Sequence, residues 1–308
     1  MTAAQTPNID TIATLGLGEA GTAIARGLAE VWRAQDPAQR RILSVDTGLG
    51  DNIRGAAIGE RARSIGVEIE GSYGKQLSAA QAVFSVVTGV EAKNAALAAR
   101  EVLKPGTLYF DVNTLTGPQT AAIAAEMIEA GIDYVDFAAM GGFATSGYQV
   151  PFVISGPAAQ RAADLLQPLG FDIEVMSERA GDASAVKIIR SVMVKGIEAL
   201  GVECMVAAHR AGLVDEVLDC FSDIDARTFA GMVKTLTTTH VVHAKRRMEE
   251  MDKAQENLLE LGITPLMSER TRQSHARTVD AAIAPDNAQL PSFEQALEIL
   301  SERVVKYC

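Results

Sequence analysis

Short apolar runs alternate with amphipathic stretches along the first half of the chain. The runs predict buried strands, and the stretches, whose apolar positions recur at helical spacing, predict helices. A chain in which strands alternate with helices indicates crossover connections and a mostly parallel sheet. The predicted strands are residues 9–15, 42–45, 83–87, 108–112, 132–137, 151–155 and 171–175, and the predicted helices are residues 19–34, 91–103, 120–130 and 158–169.

The pattern changes at Gly181. Beyond this residue the sequence predicts no strand, and residues 182–211 carry apolar side chains at helical spacing. Further helices are predicted at residues 216–221, 226–259 and 292–305. A chain of 308 residues is long enough for two domains. We therefore expect an α/β domain at residues 1–180 and an all-α substrate and dimerisation domain at residues 181–308, which begins with a long interdomain helix.

The link between the first predicted strand and the first predicted helix has the pattern GxGxxG. In this pattern the first glycine allows a tight turn, the second lets the backbone approach a pyrophosphate, and the third lets the helix pack against the strand. The free N–H groups at the start of the helix then face the phosphates. The alternative is a glycine-rich turn without a ligand. The context predicts a doubly wound Rossmann sheet that binds a dinucleotide through Gly16, Gly18, Glu19, Ala20 and Gly21.

Asp46 ends the second predicted strand, where an acidic side chain can bond the ribose hydroxyls of adenosine. The interval from Gly18 is longer than usual, which fits an extended connection around Pro37. A turn-forming aspartate is the alternative interpretation. Asp46 favours NAD as the cofactor, whereas Arg54 could hold a 2′-phosphate and keeps NADP open.

Four motifs occur in an order and spacing that resemble the β-hydroxyacid dehydrogenase and 6-phosphogluconate dehydrogenase superfamily. Residues 15–25 resemble its GLGxMGxxMA opening, and residues 111–114 resemble its Asp-x-Ser-Thr stretch. Residues 136–142 resemble its DAPVSGG substrate loop, and residues 181–191 resemble its GxGxxxKxxxN helix. The resemblance covers residues 9–195 and implies a nicotinamide cofactor and an oxidoreductase activity.

The resemblance also implies roles for single residues. Thr88 and Asn113 are expected to contact the cofactor, and the loop residues Met140, Gly141 and Gly142 are expected to contact the substrate. Two positions depart from the superfamily pattern. Met140 replaces a serine that grips a carboxylate in relatives, and the asparagine that follows the helix lysine is a serine here. The general chemistry therefore carries over better than the substrate does.

Lys187 matches the superfamily lysine that acts as general acid/base, and the resemblance implies that role here. Hydride transfer to a carbonyl leaves an alkoxide, which a nearby ammonium can stabilise and protonate. Partial burial would lower the lysine pKa and favour the neutral form that accepts a proton. Ser191 and Lys195 follow at four-residue steps on roughly the same helix face and are further predicted substrate contacts. On spacing alone, a solvated surface lysine is the alternative.

Composition narrows the function classes. The 28 Lys and Arg against 39 Asp and Glu give a net charge of −11 without a basic cluster, so we expect no nucleic-acid partner. Cys204, Cys220 and Cys308 form neither a CxxC pair nor a metal-ligand spacing with the four histidines. Residues 1–8 lack the features of a signal peptide, and no apolar run is long enough to span a membrane. We expect a cytoplasmic protein without a metal.

His240 and His243 lie on one predicted helix but lack a third metal ligand, so solvation or packing is the favoured interpretation. Arg246 and Arg247 could reach a substrate anion, although charged helix faces are usually solvated.

The sequence predicts an NAD(P)-dependent oxidoreductase that acts on the CH–OH group of a β-hydroxy acid or a related β-hydroxy compound. One alternative is an imine reductase-like enzyme, in which the lysine position is typically Asp or Tyr, so Lys187 argues against it. Another is a non-catalytic dinucleotide-binding protein, which the lost serine and asparagine favour. The expected partners are a small-molecule substrate and, as in relatives, a second copy bound through the helical domain.

Overall fold

The computed structural model describes residues 9–35, 40–283 and 289–305. The predicted connection around Pro37 and the third cysteine, Cys308, lie outside the described residues. The chain divides into two compact units, Met1–Val192 and Met193–Cys308, called here the α/β unit and the helical unit. The division falls inside one long helix, whereas the sequence places a domain boundary before that helix.

The α/β unit contains a sheet of eight strands in the order β3-β2-β1-β4-β5-β6-β7-β8. All neighbouring strands are parallel except β6 and β7, which are antiparallel. The order reverses between β1 and β4, and the crevice outside such a reversal is where open α/β sheets bind ligands. The strands are β1 (Thr11–Leu15), β2 (Arg41–Val45), β3 (Glu68–Glu70), β4 (Ala82–Ser85), β5 (Leu108–Asp111), β6 (Asp133–Ala139), β7 (Phe152–Ser155) and β8 (Ile173–Ser177).

Helices cover both faces of this sheet. Buried side chains of α1, α2 and α6 pack on one face with Phe84, Phe110 and Phe137. Those of α3 and α4 pack on the other face with Tyr109 and Tyr134. The predicted doubly wound, mostly parallel fold is therefore confirmed. The helices of this unit are α1 (Glu19–Gln35), α2 (Gly55–Ile65), α3 (Ala92–Arg100), α4 (Gly117–Glu129), α5 (Phe143–Ser146) and α6 (Ala159–Leu166), and α7 (Asp182–Ala211) continues into the helical unit.

The helical unit has no strand among its described residues, as predicted. Within it, α10 packs along α11 and α12. No described helix combines the length and the apolar character that a membrane crossing requires. Cys204 and Cys220 are free thiols. The remaining helices are α8 (Val214–Asp219), α9 (Ser222–Asp225), α10 (Phe229–Glu260), α11 (Leu266–Asp280) and α12 (Phe293–Arg303).

Five of these helices and strands were not predicted from the sequence: α2, β3, α5, α9 and α11. Helices α5 and α9 have only four residues each, too few to show a helical period. Helix α2 contains two glycines and buries few large apolar side chains, so its periodicity is weak. Strand β3 has only three residues, and two of them are glutamates. Helix α11 is mostly polar, and the residues it buries are Ser268 and Thr278, so it presents no apolar stripe.

Candidate functional site

The glycine turn joins β1 to α1 at the strand reversal. Gly16 has a φ of +94°, and a Cβ added there would lie 2.8 Å from the carbonyl oxygen of Val86. A Cβ added to Gly21 would collide with the carbonyl oxygen of Gly16. By contrast, a Cβ added to Gly18 would meet no described atom within 4 Å. Two glycines are thus required by the fold, and the space beside Gly18 is open, as an approach of the backbone to a pyrophosphate requires.

The backbone of Leu17, inside this turn, is held from two sides. Asp46 Oδ2 accepts a hydrogen bond from the Leu17 N–H at 2.9 Å. Arg61 Nη1 donates to the Leu17 carbonyl oxygen at 2.6 Å. Glu19 is exposed and Ala20 is half-buried where α1 begins. The sequence did not indicate Arg61, because the helix that carries it was not predicted.

Asp46 is half-buried, and both of its oxygens accept backbone hydrogen bonds. Oδ2 accepts from Leu17, and Oδ1 accepts from the Gly48 N–H at 2.9 Å. Each carboxylate oxygen has a second lone pair, so this arrangement still allows bonds to ribose hydroxyls. Arg54 is exposed, with Nε 3.7 Å from Asp51 Oδ2. The residues present therefore fit the adenosine half of a nicotinamide dinucleotide.

The loops that follow β4 and β5 approach each other closely. A Cβ added to Gly89 would lie 2.6 Å from the Thr114 carbonyl oxygen. Thr88 is exposed in the first loop, whereas Asn113 is buried in the second. Asn113 Nδ2 donates to Ser85 Oγ at 2.9 Å and to an Asp111 carboxylate oxygen at 2.7 Å. Within the described residues, Asn113 Oδ1 is buried without a hydrogen-bond partner.

Four buried polar residues form a row across the sheet, called here the polar row: Ser85, Asp111, Asp136 and Ser155. Each one pairs in register with the next, on β4, β5, β6 and β7 respectively. None of the four is more than 2% exposed. Because side chains of paired strand residues lie on the same face, the two aspartates are neighbours. The sequence gave no signal for this row, since it depends on how the strands align.

Asp111 has an unusual acidity. Burial raises its pKa to about 6, and the charge of Asp136 acts in the same direction. Hydrogen bonds from Asn113 and from the Tyr134 hydroxyl, at 2.6 Å, oppose that rise because they favour the carboxylate. Burial thus makes the protonated form of Asp111 easier to reach than that of an exposed aspartate.

Lys187 is half-buried on the second turn of α7. Burial lowers its pKa, while the negative charges of Asp136 and Asp111 raise it and partly offset the effect of burial. Lys187 forms no ion pair within the described part of the chain. An ammonium that is partly desolvated and not paired is available to a ligand oxygen.

The other predicted substrate residues, Ser191, Lys195 and Met140, differ in their hydrogen-bond and ion-pair partners. Ser191 Oγ donates to the Lys187 carbonyl oxygen at 2.8 Å. Lys195 belongs to the helical unit, where its exposed ammonium pairs with Glu198 at 3.0 Å. Met140 is half-buried, and its N–H donates to the Pro151 carbonyl oxygen at 2.8 Å.

The glycines of the predicted substrate loop differ in how much room they have. Gly141 and Gly142 are both exposed. A Cβ added to Gly141 would lie 2.9 Å from Val150 Cγ2, whereas one added to Gly142 would meet no described atom within 4 Å. A side chain at Gly141 would therefore displace Val150, while the space beside Gly142 is open.

In the helical unit, His240 lies against a residue that the sequence did not single out. Its ring stacks on that of His275, with 4.8 Å between centroids, and its Nε2 is 2.7 Å from Thr278 Oγ1. Burial lowers the pKa of His240 to about 4, and the nearby His275 and Arg247 add to that effect. No group of metal-binding side chains occurs among the described residues, His243 included.

The arginines near this histidine are engaged by polar partners. Arg247 Nη2 donates to Thr239 Oγ1 at 2.8 Å, and Arg246 pairs with Glu250. These contacts fit the interpretation of a packed and solvated helix face.

The sheet order, the glycine turn and the interdomain helix define a Rossmann-type fold. The family described as "Domain of unknown function (DUF1932)" matches residues 208–278. The conserved protein MTH1747, of unknown function and described as structurally similar to 3-hydroxyacid dehydrogenases, is 30% identical. The match covers 88% of this chain and 98% of that chain, with a TM-score of 0.56. The chain belongs to this 3-hydroxyacid dehydrogenase-like family, as the sequence motifs predicted.

Two further solved structures share the fold. A reductive aminase from Aspergillus terreus in complex with NADPH is 13% identical over 96% of this chain and 100% of its own, with a TM-score of 0.72. An imine reductase from Myxococcus stipitatus, a V8 variant in complex with NAD+, is 15% identical over 95% of this chain and 99% of its own, with a TM-score of 0.73. At these identities the likeness concerns the fold alone.

Proposed function

We propose that this protein is an NAD(P)-dependent oxidoreductase that acts on the CH–OH group of a β-hydroxy acid or a related β-hydroxy compound. The observation that carries the proposal is Lys187, which is partly desolvated, forms no ion pair with any described residue, and is influenced by the charges of two buried carboxylates. The glycine turn supports a dinucleotide at the same sheet. Gly16 and Gly21 lie against backbone atoms that leave no room for a side chain, whereas the space beside Gly18 is open. Membership of a 3-hydroxyacid dehydrogenase-like family supports the reaction class.

Lys187 is proposed to act on the oxygen of the reacting carbon. In reduction its ammonium donates a hydrogen bond to the carbonyl oxygen and then supplies the proton. In oxidation its neutral amine accepts the proton of the hydroxyl. The lowering of its pKa by burial increases the neutral fraction, which favours the oxidative role. A bound nicotinamide ring would accept or supply the hydride.

NAD is the proposed cofactor, with NADP as the alternative. The Asp46 carboxylate would accept hydrogen bonds from ribose hydroxyls and repel a 2′-phosphate. Arg54, which is exposed near Asp51, could attract that phosphate instead. The reductive aminase was solved with NADPH and the imine reductase with NAD+, so the fold accommodates both dinucleotides.

The substrate is proposed to be bulkier or more apolar than a simple hydroxy acid. Met140 offers a thioether where relatives hold a carboxylate with a serine, and its own N–H is already bonded to Pro151. A carboxylate without a matched donor would be desolvated at a cost. An apolar group extending from the β-carbon would instead gain contact with the methionine.

A homodimer formed through the helical unit is also proposed. Helix α7 carries branched aliphatic side chains that are exposed in one chain, with Val202 61% exposed. A groove of about 510 Å³ lies in the same unit between α7, α10 and α11, and its lining is mainly apolar. Exposed apolar surface of this kind supports an interface, and a second copy would present the matching apolar helix.

The test of the activity uses purified protein without added ligand. Titration with NADH and with NADPH should change the nicotinamide fluorescence, and tighter binding of NADH would support the role of Asp46. Nicotinamide absorbance is then followed with hydroxy acids, polyols, β-hydroxy amino acids and imines. Turnover of a hydroxy compound supports the proposal. Turnover of imines alone, or failure to bind either dinucleotide, contradicts it.

A further inference from the structure

The first turn of α7 is bonded to the polar row. Asp136 accepts hydrogen bonds from the Gly181 N–H at 3.0 Å, the Ser184 N–H at 2.9 Å and the Ser184 hydroxyl at 2.6 Å. Ser155 Oγ accepts from the Ala183 N–H at 3.1 Å and donates to Asp136 at 3.0 Å. Two strands therefore supply the acceptors for the N–H groups that a helix leaves unpaired at its start.

Helix α4 contacts the same turn. Thr120 Oγ1 donates to Ser184 Oγ at 3.1 Å. A Cβ added to Gly181 would lie 2.5 Å from the Gly117 carbonyl oxygen, and one added to Gly117 would lie 2.8 Å from the Gly181 carbonyl oxygen. The backbones of the two helix starts thus lie close together. The position of the first turn of α7 is fixed by contacts on several sides.

Asp136 and the first turn of α7 supply each other's hydrogen-bond partners. A carboxylate that is fully buried is costly unless several donors surround it. The four bonds to Asp136 meet that requirement. A negative charge at a helix N-terminus also interacts favourably with the helix dipole.

Lys187 follows Ser184 by three residues and therefore lies one helical turn further along. The bonds that hold Ser184 therefore also fix the part of α7 that carries Lys187. The charge of Asp136 acts on Lys187 as well and is the larger of the two carboxylate effects that oppose burial. One buried side chain thus touches the helix and influences the charge of the lysine.

We propose that Asp136 is a positioning residue for Lys187: its carboxylate holds the first turn of α7 on the sheet and places a negative charge one helical turn from the lysine. The proposal rests on the proposed function, because it assigns Asp136 a part in the chemistry of Lys187. A purely structural cap would hold the helix without altering the lysine's protonation.

The experiment compares Asp136→Asn with a matched control, Asp133→Asn. Asp133 lies on the same strand, but it is partly exposed and pairs with Arg161 at 2.6 Å. The lysines of each protein are dimethylated with ¹³C-formaldehyde, and the Lys187 resonance is assigned with Lys187→Arg. Its titration is followed by NMR, and hydrogen exchange is measured for the peptide spanning residues 181–187. Neither readout requires a substrate.

In Asp136→Asn the Lys187 titration midpoint should move to lower pH, because a negative neighbour is lost. Exchange at residues 181–184 should become about tenfold faster or more, as expected when charge-assisted bonds are weakened. The control should match the parent protein in both readouts. Ser184→Ala removes the bond that the hydroxyl donates to Asp136 and the bond that it accepts from Thr120, and it leaves the Asp136 charge. It should therefore speed exchange without moving the titration, and this milder variant also serves if Asp136→Asn does not fold.

A Lys187 midpoint in Asp136→Asn equal to that of the control overturns the proposal. If Asp136→Asn does not fold, a shifted Lys187 titration or unchanged exchange in Ser184→Ala overturns it. The proposed function fails separately, if Lys187→Ala turns over substrate as fast as the parent protein does.

Discussion

The α/β unit and the helical unit bury their side chains in different ways. In the α/β unit, apolar side chains fill both faces of the sheet, and even two carboxylates are buried with their donors. In the helical unit, the long helices meet largely through small or polar residues, and much of the apolar surface of α7 is exposed. The buried apolar residues among its described positions are Ala208, Val241, Ala244, Leu258, Ala296 and Val304.

The difference indicates that the two units depend on different partners. The α/β unit completes its core within one chain, so a change there should affect ligand binding or chemistry. The helical unit leaves apolar surface uncovered, so a change there should affect association.

The largest effect is expected at Lys187. Replacing it with alanine should reduce kcat about 10²–10⁴-fold, the usual contribution of a general acid/base. Dinucleotide affinity should be unchanged, since the lysine is not part of the glycine turn. Lys187→Arg should not restore activity, because a guanidinium does not deprotonate. Steady-state kinetics on the identified substrate measure this, with Lys93→Ala as the control for an exposed lysine. A kcat near that of the parent protein would remove Lys187 from the mechanism.

The second effect concerns association. Val202→Asp places a charge on the exposed apolar surface of α7 and should raise the dissociation constant of the proposed dimer about 100-fold, since an unpaired charge is costly to bury. Val305→Asp is the control, because Val305 is 60% exposed but does not belong to α7. Sedimentation equilibrium over a range of concentrations gives both constants. Equal masses for both variants and the parent protein would contradict an interface on α7.

The third effect concerns the glycine turn. Gly18→Val adds side-chain atoms in open space, so the melting temperature should be unchanged while NADH affinity falls at least about tenfold. Gly21→Ala should instead lower the melting temperature, because its Cβ collides with the Gly16 carbonyl oxygen. Calorimetry and nicotinamide fluorescence separate the two outcomes. Unchanged NADH affinity in Gly18→Val would show that the turn does not bind the dinucleotide.

The smallest effect is a pH dependence of opposite sign in the two units. His240 has a folded pKa of about 4, below its ordinary value of 6.5, so unfolding takes up a proton between these values. Stability should therefore fall as pH drops from 6.5 to 4, by about 1 kcal/mol after allowing for partial exposure. The pKa of Asp111 in the folded protein is raised to about 6. This residue therefore makes the protein more stable as pH falls below 6.

Single variants separate these opposing contributions. His240→Gln keeps a side chain that can bond to Thr278 but does not titrate, so its melting temperature should decline less than that of the parent protein from pH 7.5 to pH 5. Asp111→Asn should decline more, because its compensating gain is absent. The same decline in all three proteins would contradict both assignments.

The features that can be predicted from the sequence are those that produce a local pattern of residues. Strands buried on both faces appear as continuous apolar runs, which is why the alternating fold was predicted. The glycine turn and Lys187 lie in contiguous motifs. Helix α11 lacks such a signal because its buried residues are polar, and the stacked ring of His275 was missed together with it. Arg61 was missed for the same reason in α2.

The polar row could not be predicted because no local pattern contains it. Its members lie on four strands, and a serine or an aspartate at the end of a strand is usually a turn residue. Only the pairing of the strands brings Asp111 beside Asp136, which bonds to the first turn of α7. The contribution of Asp136 to the site therefore follows from the structure and not from its motif.

The polar row also determines how four strands can align during folding. Side chains on a strand alternate between faces, so a shift of one residue would turn Asp111 or Asp136 toward the phenylalanines of the opposite face. There the carboxylates would lack every donor that now surrounds them, a cost of several kcal/mol. An apolar row would tolerate such slippage far better. Buried charge thus discriminates against misaligned sheets more strongly than an entirely apolar core does.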